Sequence, residues 1–216
     1  MLGSIKRGSG NLTQEAYQII KDKIISGELA PGEFISISAM AKNLGISRTP
    51  VTNACQKLEN DKFLTIAPKQ GVIINVLTID DAREIYELRA AIETYSARNS
   101  FNEFTADDIE LLKVSCRKQK KIIESGNTIE FMKEDTAFHQ YLLQKYENSH
   151  FFSILNTMFD RAYLIGLKSC KDRERMVSSL QEHELIVRCL EHKDKYGFVN
   201  ALEENILNGY KNLMLN

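Results

Sequence analysis

The sequence predicts a mainly α chain in two parts: an N-terminal winged helix-turn-helix with a small β-hairpin wing, then a C-terminal antiparallel six-helix bundle. Two observations carry this. Before Thr78, three short helical runs lead into two β-rich runs, Phe63-Leu64-Thr65-Ile66 and Val72-Ile73-Ile74-Asn75-Val76. From Thr78 onward every segment has helical period and strand signals stop. Composition agrees, since 43% hydrophobic and 26% charged residues are ordinary for a globular chain, and only 3 prolines interrupt it. No apolar run approaches the roughly 20 residues of a membrane span, so no membrane partner is expected. Cys55, Cys116, Cys170 and Cys189 are scattered without a CxxC pair, which fits a reduced, cytoplasmic protein.

Taken in order, residues 1–10 (MLGSIKRGSG) have no apolar signal region and read as a flexible lead. Asn11-Leu12-Thr13-Gln14-Glu15 opens a helix, with Ala16, Ile19, Ile20, Ile24 and Ile25 at helical spacing. It stops at Ser26-Gly27, and Ala30-Pro31-Gly32 is a turn. Helices Ser38 to Leu44 and Ser47 to near Asn60 follow, separated by Gly45-Ile46, and Ala67-Pro68-Lys69-Gln70-Gly71 joins the two strands. Period and composition both change near residue 77, giving domains at 11–77 and 78–216. The first 77 residues hold 9 Lys/Arg against 6 Asp/Glu and the rest hold 19 against 23, so the half suited to a polyanion comes first. The second domain reads as helices near 79–100, 105–125, 128–146, 149–169, 172–192 and 195–213.

In the first domain Ala41, Leu44 and Ile46 can fill the angle between two helices, and Gly45 permits the tight turn. Ser47 is a natural N-cap, which places Arg48 and Thr49 in the first turn, where a recognition helix meets base edges and phosphates. Val51, Cys55 and Leu58 face the core, so Cys55 reads as a small buried hydrophobe rather than a reactive thiol. Lys69-Gln70-Gly71 forms the wing tip. A helical hairpin that binds nothing is the alternative. The pattern Leu44-Gly45-Ile46-Ser47-Arg48-Thr49-Pro50-Val51, followed by Pro68-Lys69-Gln70-Gly71, resembles the winged-helix domain of GntR-type transcriptional regulators. The resemblance implies a homodimer on a two-fold double-stranded DNA operator, contacted by Ser47, Arg48, Thr49, Thr52, Asn53, Lys69, Gln70 and Gly71. The family often has Arg-Glu where this chain has Thr52-Asn53, which removes one expected guanine or phosphate contact.

In the second domain Asp135 and His139 lie one helical turn apart, on a face shared with Phe131, Phe138 and Leu142. A helix buries that face, and a buried charge needs a partner or a metal. The spacing leaves open a plain Asp–His hydrogen bond or a ligand cavity. An all-helical domain with Asp-x-x-x-His on its third helix is similar to the FCD domain of the FadR-like GntR subgroup; the two resemblances together span nearly all of the chain after residue 10. In that subgroup the pair belongs to a metal site completed by two further histidines on the last two helices. Here His183 supplies one, in the frame Met176, Leu180, Val187, Leu190, and Asn205, beside Leu202 and Ile206, stands where the other is expected. The implied ligands are Asp135, His139 and His183 to Zn²⁺, Ni²⁺ or Mn²⁺, with Asn205 a weak or water-mediated fourth; a metal-free polar pocket is the alternative.

The subgroup often has an arginine at the position of Arg89 that meets an effector carboxylate, so Arg89, Tyr86 and, less directly, Arg161 are the expected effector contacts. The alternative for Arg89 is an i, i+4 pair with Glu93 on a solvated face. The expected function is a ligand-responsive transcriptional repressor that senses a small carboxylate, and no enzyme. A metal-dependent hydrolase with a DNA-binding appendage is a second reading, though no general base, nucleophile motif or phosphate loop accompanies the metal residues. A constitutive DNA-binding protein whose bundle only dimerises is a third.

Overall fold

The computed structural model describes residues 9–170 and 173–211, and the chain divides into two compact units at Leu77–Thr78. Residues 1–8 of the expected lead lie outside the described residues, whereas Ser9 and Gly10 already belong to the first helix. Unit 1 contains α1 (Ser9–Ile25), β1 (Phe34–Ile35), α2 (Ile37–Leu44), α3 (Arg48–Asn60), β2 (Leu64–Ala67) and β3 (Gly71–Ile74). Ala16, Ile20 and Ile24 repeat every four residues on α1 and are buried in the same core as Val51, Ala54, Cys55 and Leu58 of α3. Ser36 caps α2 by accepting from the Ala39 N–H at 3.1 Å. Gly45 ends α2 at φ 66°, a left-handed conformation that glycine adopts without a Cβ penalty.

Two details of unit 1 correct the sequence reading. The sheet has three antiparallel strands in the order β1-β3-β2, because the two-residue β1 pairs with β3 through Phe34–Ile73 and Ile35–Val72. Two residues cannot show an alternating pattern, so this strand left no signal. Gly71 is not at the wing tip but is buried at the start of β3, where a Cβ would fall 2.4 Å from the Ile35 carbonyl oxygen. Its smallness serves this close approach of β1.

Unit 2 is the expected antiparallel bundle: α4 (Ile79–Ser100), α5 (Ala106–Ser125), α6 (Thr128–Gln144), α7 (Ser149–Ser169), α8 (Arg173–Glu191) and α9 (Lys195–Lys211), with a short 3₁₀ turn at Phe101–Glu103. Residue 172 and residues 212–213 of the expected last helices lie outside the described residues. Thr78 and Thr105 start α4 and α5 with capping boxes closed by Asp81 and Asp108. Asp108 also accepts from the Tyr141 hydroxyl and pairs with Lys145 Nζ at 2.7 Å, which fastens the end of α6 to the start of α5. Phe131, Phe138, Leu155, Phe159, Ile165, Met176 and Phe198 fill the core. Among the described residues no helix is long and apolar enough to cross a membrane.

Candidate metal centre and nucleic-acid interface

Asp135, His139 and His183 converge as expected: one ligand atom from each lies within 4.8 Å of the other two. His139 and His183 are buried, and Asp135 is half-buried with 15% of its side chain exposed. Each imidazole is oriented from behind. His139 Nδ1 lies 2.8 Å from Glu93 Oε2, and since an ionised carboxylate only accepts, Nδ1 carries a proton. His183 Nδ1 donates to Gln119 Oε1 at 2.8 Å, which leaves Nε2 as a lone pair 3.5 Å from Asp135 Oδ1. His183 is stacked on Phe138 at 4.2 Å and is fully buried. Burial pushes its pKa down to about 3, so the ring is neutral at physiological pH.

The electrostatics suit a cation. Nε2 of His183 has no hydrogen-bond partner although it is buried. A lone pair facing a carboxylate oxygen without a proton between them is repulsive, and a divalent cation between them relieves it. The Oδ1 atom of Asn205 on α9 is likewise buried without a partner. Asn205 lines the same cavity as Asp135 and His139. These residues fit a metal, and the partners behind the histidines match the outer hydrogen bonds that fix metal-ligating imidazoles.

The cavity is about 20 Å³, room for roughly one water or ion. Tyr86, Arg89, Met132 and Arg175 also line it. Arg89 does pair with Glu93, at 2.8 Å, but both side chains are buried rather than on a solvated face. Its guanidinium lies 5.2 Å from the Tyr86 ring centroid and 5.0 Å from that of Phe159. Burial would raise the Glu93 carboxyl, but Arg89 and His139 outweigh it and hold the group below the usual carboxylate range. Arg161 does not reach the cavity; it is buried against Asp81 at 3.0 Å, joining α7 to the start of α4. His150 and His192 are exposed.

Sequence reasoning missed Gln119, Arg175 and Glu182, and named Glu93 only as a partner of Arg89, not of His139. Gln119 carried a readable signal: it falls in the stripe Leu112, Cys116, Gln119, Ile122, Ile123, a single amide on an apolar face. Glu182 carried none, because its role depends on which helix packs beside α8.

In unit 1 Arg48, Thr49 and Asn53 are exposed on α3, opposite its buried Val51, Ala54, Cys55 and Leu58. The Ser47 N-cap is extended, yet its hydroxyl makes no bond to the helix and stays exposed. Thr52 spends its hydroxyl proton on the Arg48 carbonyl at 2.9 Å. Gln56, which the sequence reading passed over, continues the exposed line of Thr49 and Asn53. The wing presents exposed Lys69 and Gln70, with Lys69 at φ 65°. A guanidinium and carboxamides on one helix face, beside a cationic turn, are the groups that read base edges and hold phosphates.

Comparison with known proteins finds two matching family models along the chain. Residues 12–74 match the family described as bacterial regulatory proteins, gntR family, and residues 84–208 match the FCD domain. The chain is 27% identical over 180 residues to an uncharacterized HTH-type transcriptional regulator, YdhC, of Bacillus subtilis, covering 83% of this chain and 80% of that one. It is 26% identical over 199 residues to the gluconate operon transcriptional repressor of the same organism, covering 88% and 79%. The solved structure of E. coli McbR/YncC has the same fold, with a TM-score of 0.78 at 21% identity over 94% of this chain and 97% of that one. The chain belongs to the GntR family of bacterial transcriptional regulators, with an FCD domain behind its winged helix, and is a regulator rather than an enzyme.

Proposed function

We propose that this regulator is a cytoplasmic repressor that binds a two-fold operator as a homodimer and is switched by a small carboxylate bound in its helical domain. The observation that carries the sensing part is the unpartnered His183 Nε2 3.5 Å from the Asp135 carboxylate, at a cavity that Asp135, the buried guanidinium of Arg89 and Asn205, whose Oδ1 is also unpartnered, line together. Asp135, His139, His183 and Asn205 would hold a divalent Zn²⁺, Ni²⁺ or Mn²⁺. Such an ion would supply a positive charge to which an effector carboxylate can bind. Arg89 and Arg175 line the same cavity, as does Tyr86, and offer guanidinium forks to a second oxygen. At about 20 Å³ the cavity admits an organic acid only if its walls move, and Met132, flexible and set against Gly166, is the side chain best able to do so. That movement supplies the coupling a switch needs.

On the DNA side Ser47, Arg48, Thr49, Thr52, Asn53, Lys69 and Gln70 make the contacts, with Arg48 as the base or phosphate anchor. The repressor sign is supported by the similar gluconate operon repressor. Native mass spectrometry of the full chain tests the sensing part. A divalent cation should be retained on each chain and lost in His183→Ala. If wild type and variant both carry no metal, even after incubation with Mn²⁺ or Zn²⁺, the cavity is a metal-free organic pocket.

A further inference from the structure

We infer that Glu182 fixes Asn205 as an oxygen ligand and thereby shifts the metal preference of this site away from late transition metals and toward Mn²⁺. The inference rests on the metal-binding reading above and adds the residue that sets the preference. Asn205 Nδ2 donates to Glu182 Oε2 at 2.8 Å. A carboxylate only accepts, so it dictates which end of the amide faces it, and Oδ1 must point the other way. Glu182 is itself held: Asn208 Nδ2 donates to Oε1 at 3.0 Å, and Arg175 donates through Nη1 and Nη2, each at 3.3 Å. The carboxylate therefore cannot turn away without giving up three partners. Its consequence is visible in the buried, unpartnered Asn205 Oδ1, on a residue that lines the cavity of Asp135 and His139.

The resulting donor set is two oxygens, from Asp135 and Asn205, and two imidazole nitrogens, from His139 and His183. An amide oxygen is a harder and weaker donor than imidazole. It forfeits most affinity for Zn²⁺ and Ni²⁺, which gain most from nitrogen, and least for Mn²⁺, which suits oxygen. Glu182 is a positioning residue here, acting through Asn205.

The test is competition of the full-length protein with a chromophoric chelator for Mn²⁺ and for Zn²⁺, with melting temperature followed in parallel. In Glu182→Gln the new side-chain amide can donate to Asn205 Oδ1 and let that amide turn over, at nearly unchanged volume. Mn²⁺ binding should weaken about 10–100-fold, and the rise in melting temperature caused by Mn²⁺ should shrink accordingly. Asn205→His should raise Zn²⁺ affinity about 10–100-fold and Mn²⁺ affinity far less. Adding Glu182→Gln to Asn205→His should then change little, since an imidazole does not depend on which way an amide is turned. Unchanged Mn²⁺ binding in Glu182→Gln overturns the inference, as does an equal gain for both metals in Asn205→His. If Glu182→Gln fails to fold, the Asn205→His selectivity alone decides. Uptake of neither metal by wild type overturns the metal-binding reading and this inference with it, whereas metal binding with an indifferent Glu182→Gln overturns only the inference.

Discussion

Arg89 shows how a single side chain changes meaning with burial. Spacing alone presents it with Glu93 as an exposed i, i+4 pair, worth a few tenths of a kcal/mol. Both residues are buried, and Glu93 reaches on to His139 at 2.8 Å. Removing the guanidinium leaves a buried carboxylate with one partner in place of two, and breaking such a pair typically costs about 3–5 kcal/mol. Arg89→Ala should therefore lower the unfolding free energy by an amount in that range, read by urea denaturation, and would also disturb His139. A loss below about 1 kcal/mol, the value of an exposed pair, would mean that Glu93 finds water. Effector tests are better made at Arg175, which lines the cavity with 10% of its side chain exposed. The inward direction of Asp135, His139 and His183 was legible because each sits in an apolar helical stripe. The partners behind them were not, since Glu93, Gln119 and Glu182 meet their targets across helix pairs at separations of 46, 64 and 23 residues.

Helices were the most readable elements. The helix ends expected near residues 125 and 146 coincide with those of α5 and α6 to within a few residues, because Gly126 adopts φ 67° and Asn148 caps α7 with its side chain. The capping box of Thr105 and Asp108 does more than start α5. Burial alone would raise the Asp108 carboxyl, but hydrogen bonds from Lys145, Tyr141 and Thr105 hold it well below the usual range. A depressed folded value means that the unfolded chain binds the proton more readily. The stabilisation is complete above the unfolded carboxylate range, near 3.9, and is lost as pH falls toward the folded value. Unfolding free energy measured from pH 7 to pH 2 should drop below about pH 4, and Asp108→Asn should be less stable at pH 7 with a shallower acid slope. An identical slope in the variant would place the acid sensitivity elsewhere. The element that escaped notice, β1, is held by two backbone pairings and the absence of a side chain at Gly71, neither of which is a local pattern.

For the whole molecule, the winged helix and the helical bundle each follow from period and punctuation, and both match one regulator family along most of the chain. The proposed sensing by the helical unit regulates DNA binding only if occupancy of one unit alters the other, with a coupling free energy of typically about 1–3 kcal/mol. The most direct measurement is fluorescence anisotropy of the full-length protein, at fixed salt, on a site that it selects from random DNA. Affinity is compared without additive and with millimolar acetate, citrate or gluconate, for wild type, Arg48→Ala and Arg175→Gln. Arg48→Ala should lose about 1–3 kcal/mol of specific binding under every condition. One of the carboxylates should shift wild-type affinity by roughly 5–150-fold. Arg175→Gln should bind DNA like wild type without additive and respond less to that acid. Wild-type affinity indifferent to all three acids, and identical in Arg175→Gln, would contradict the account and leave the bundle as a dimerisation domain only.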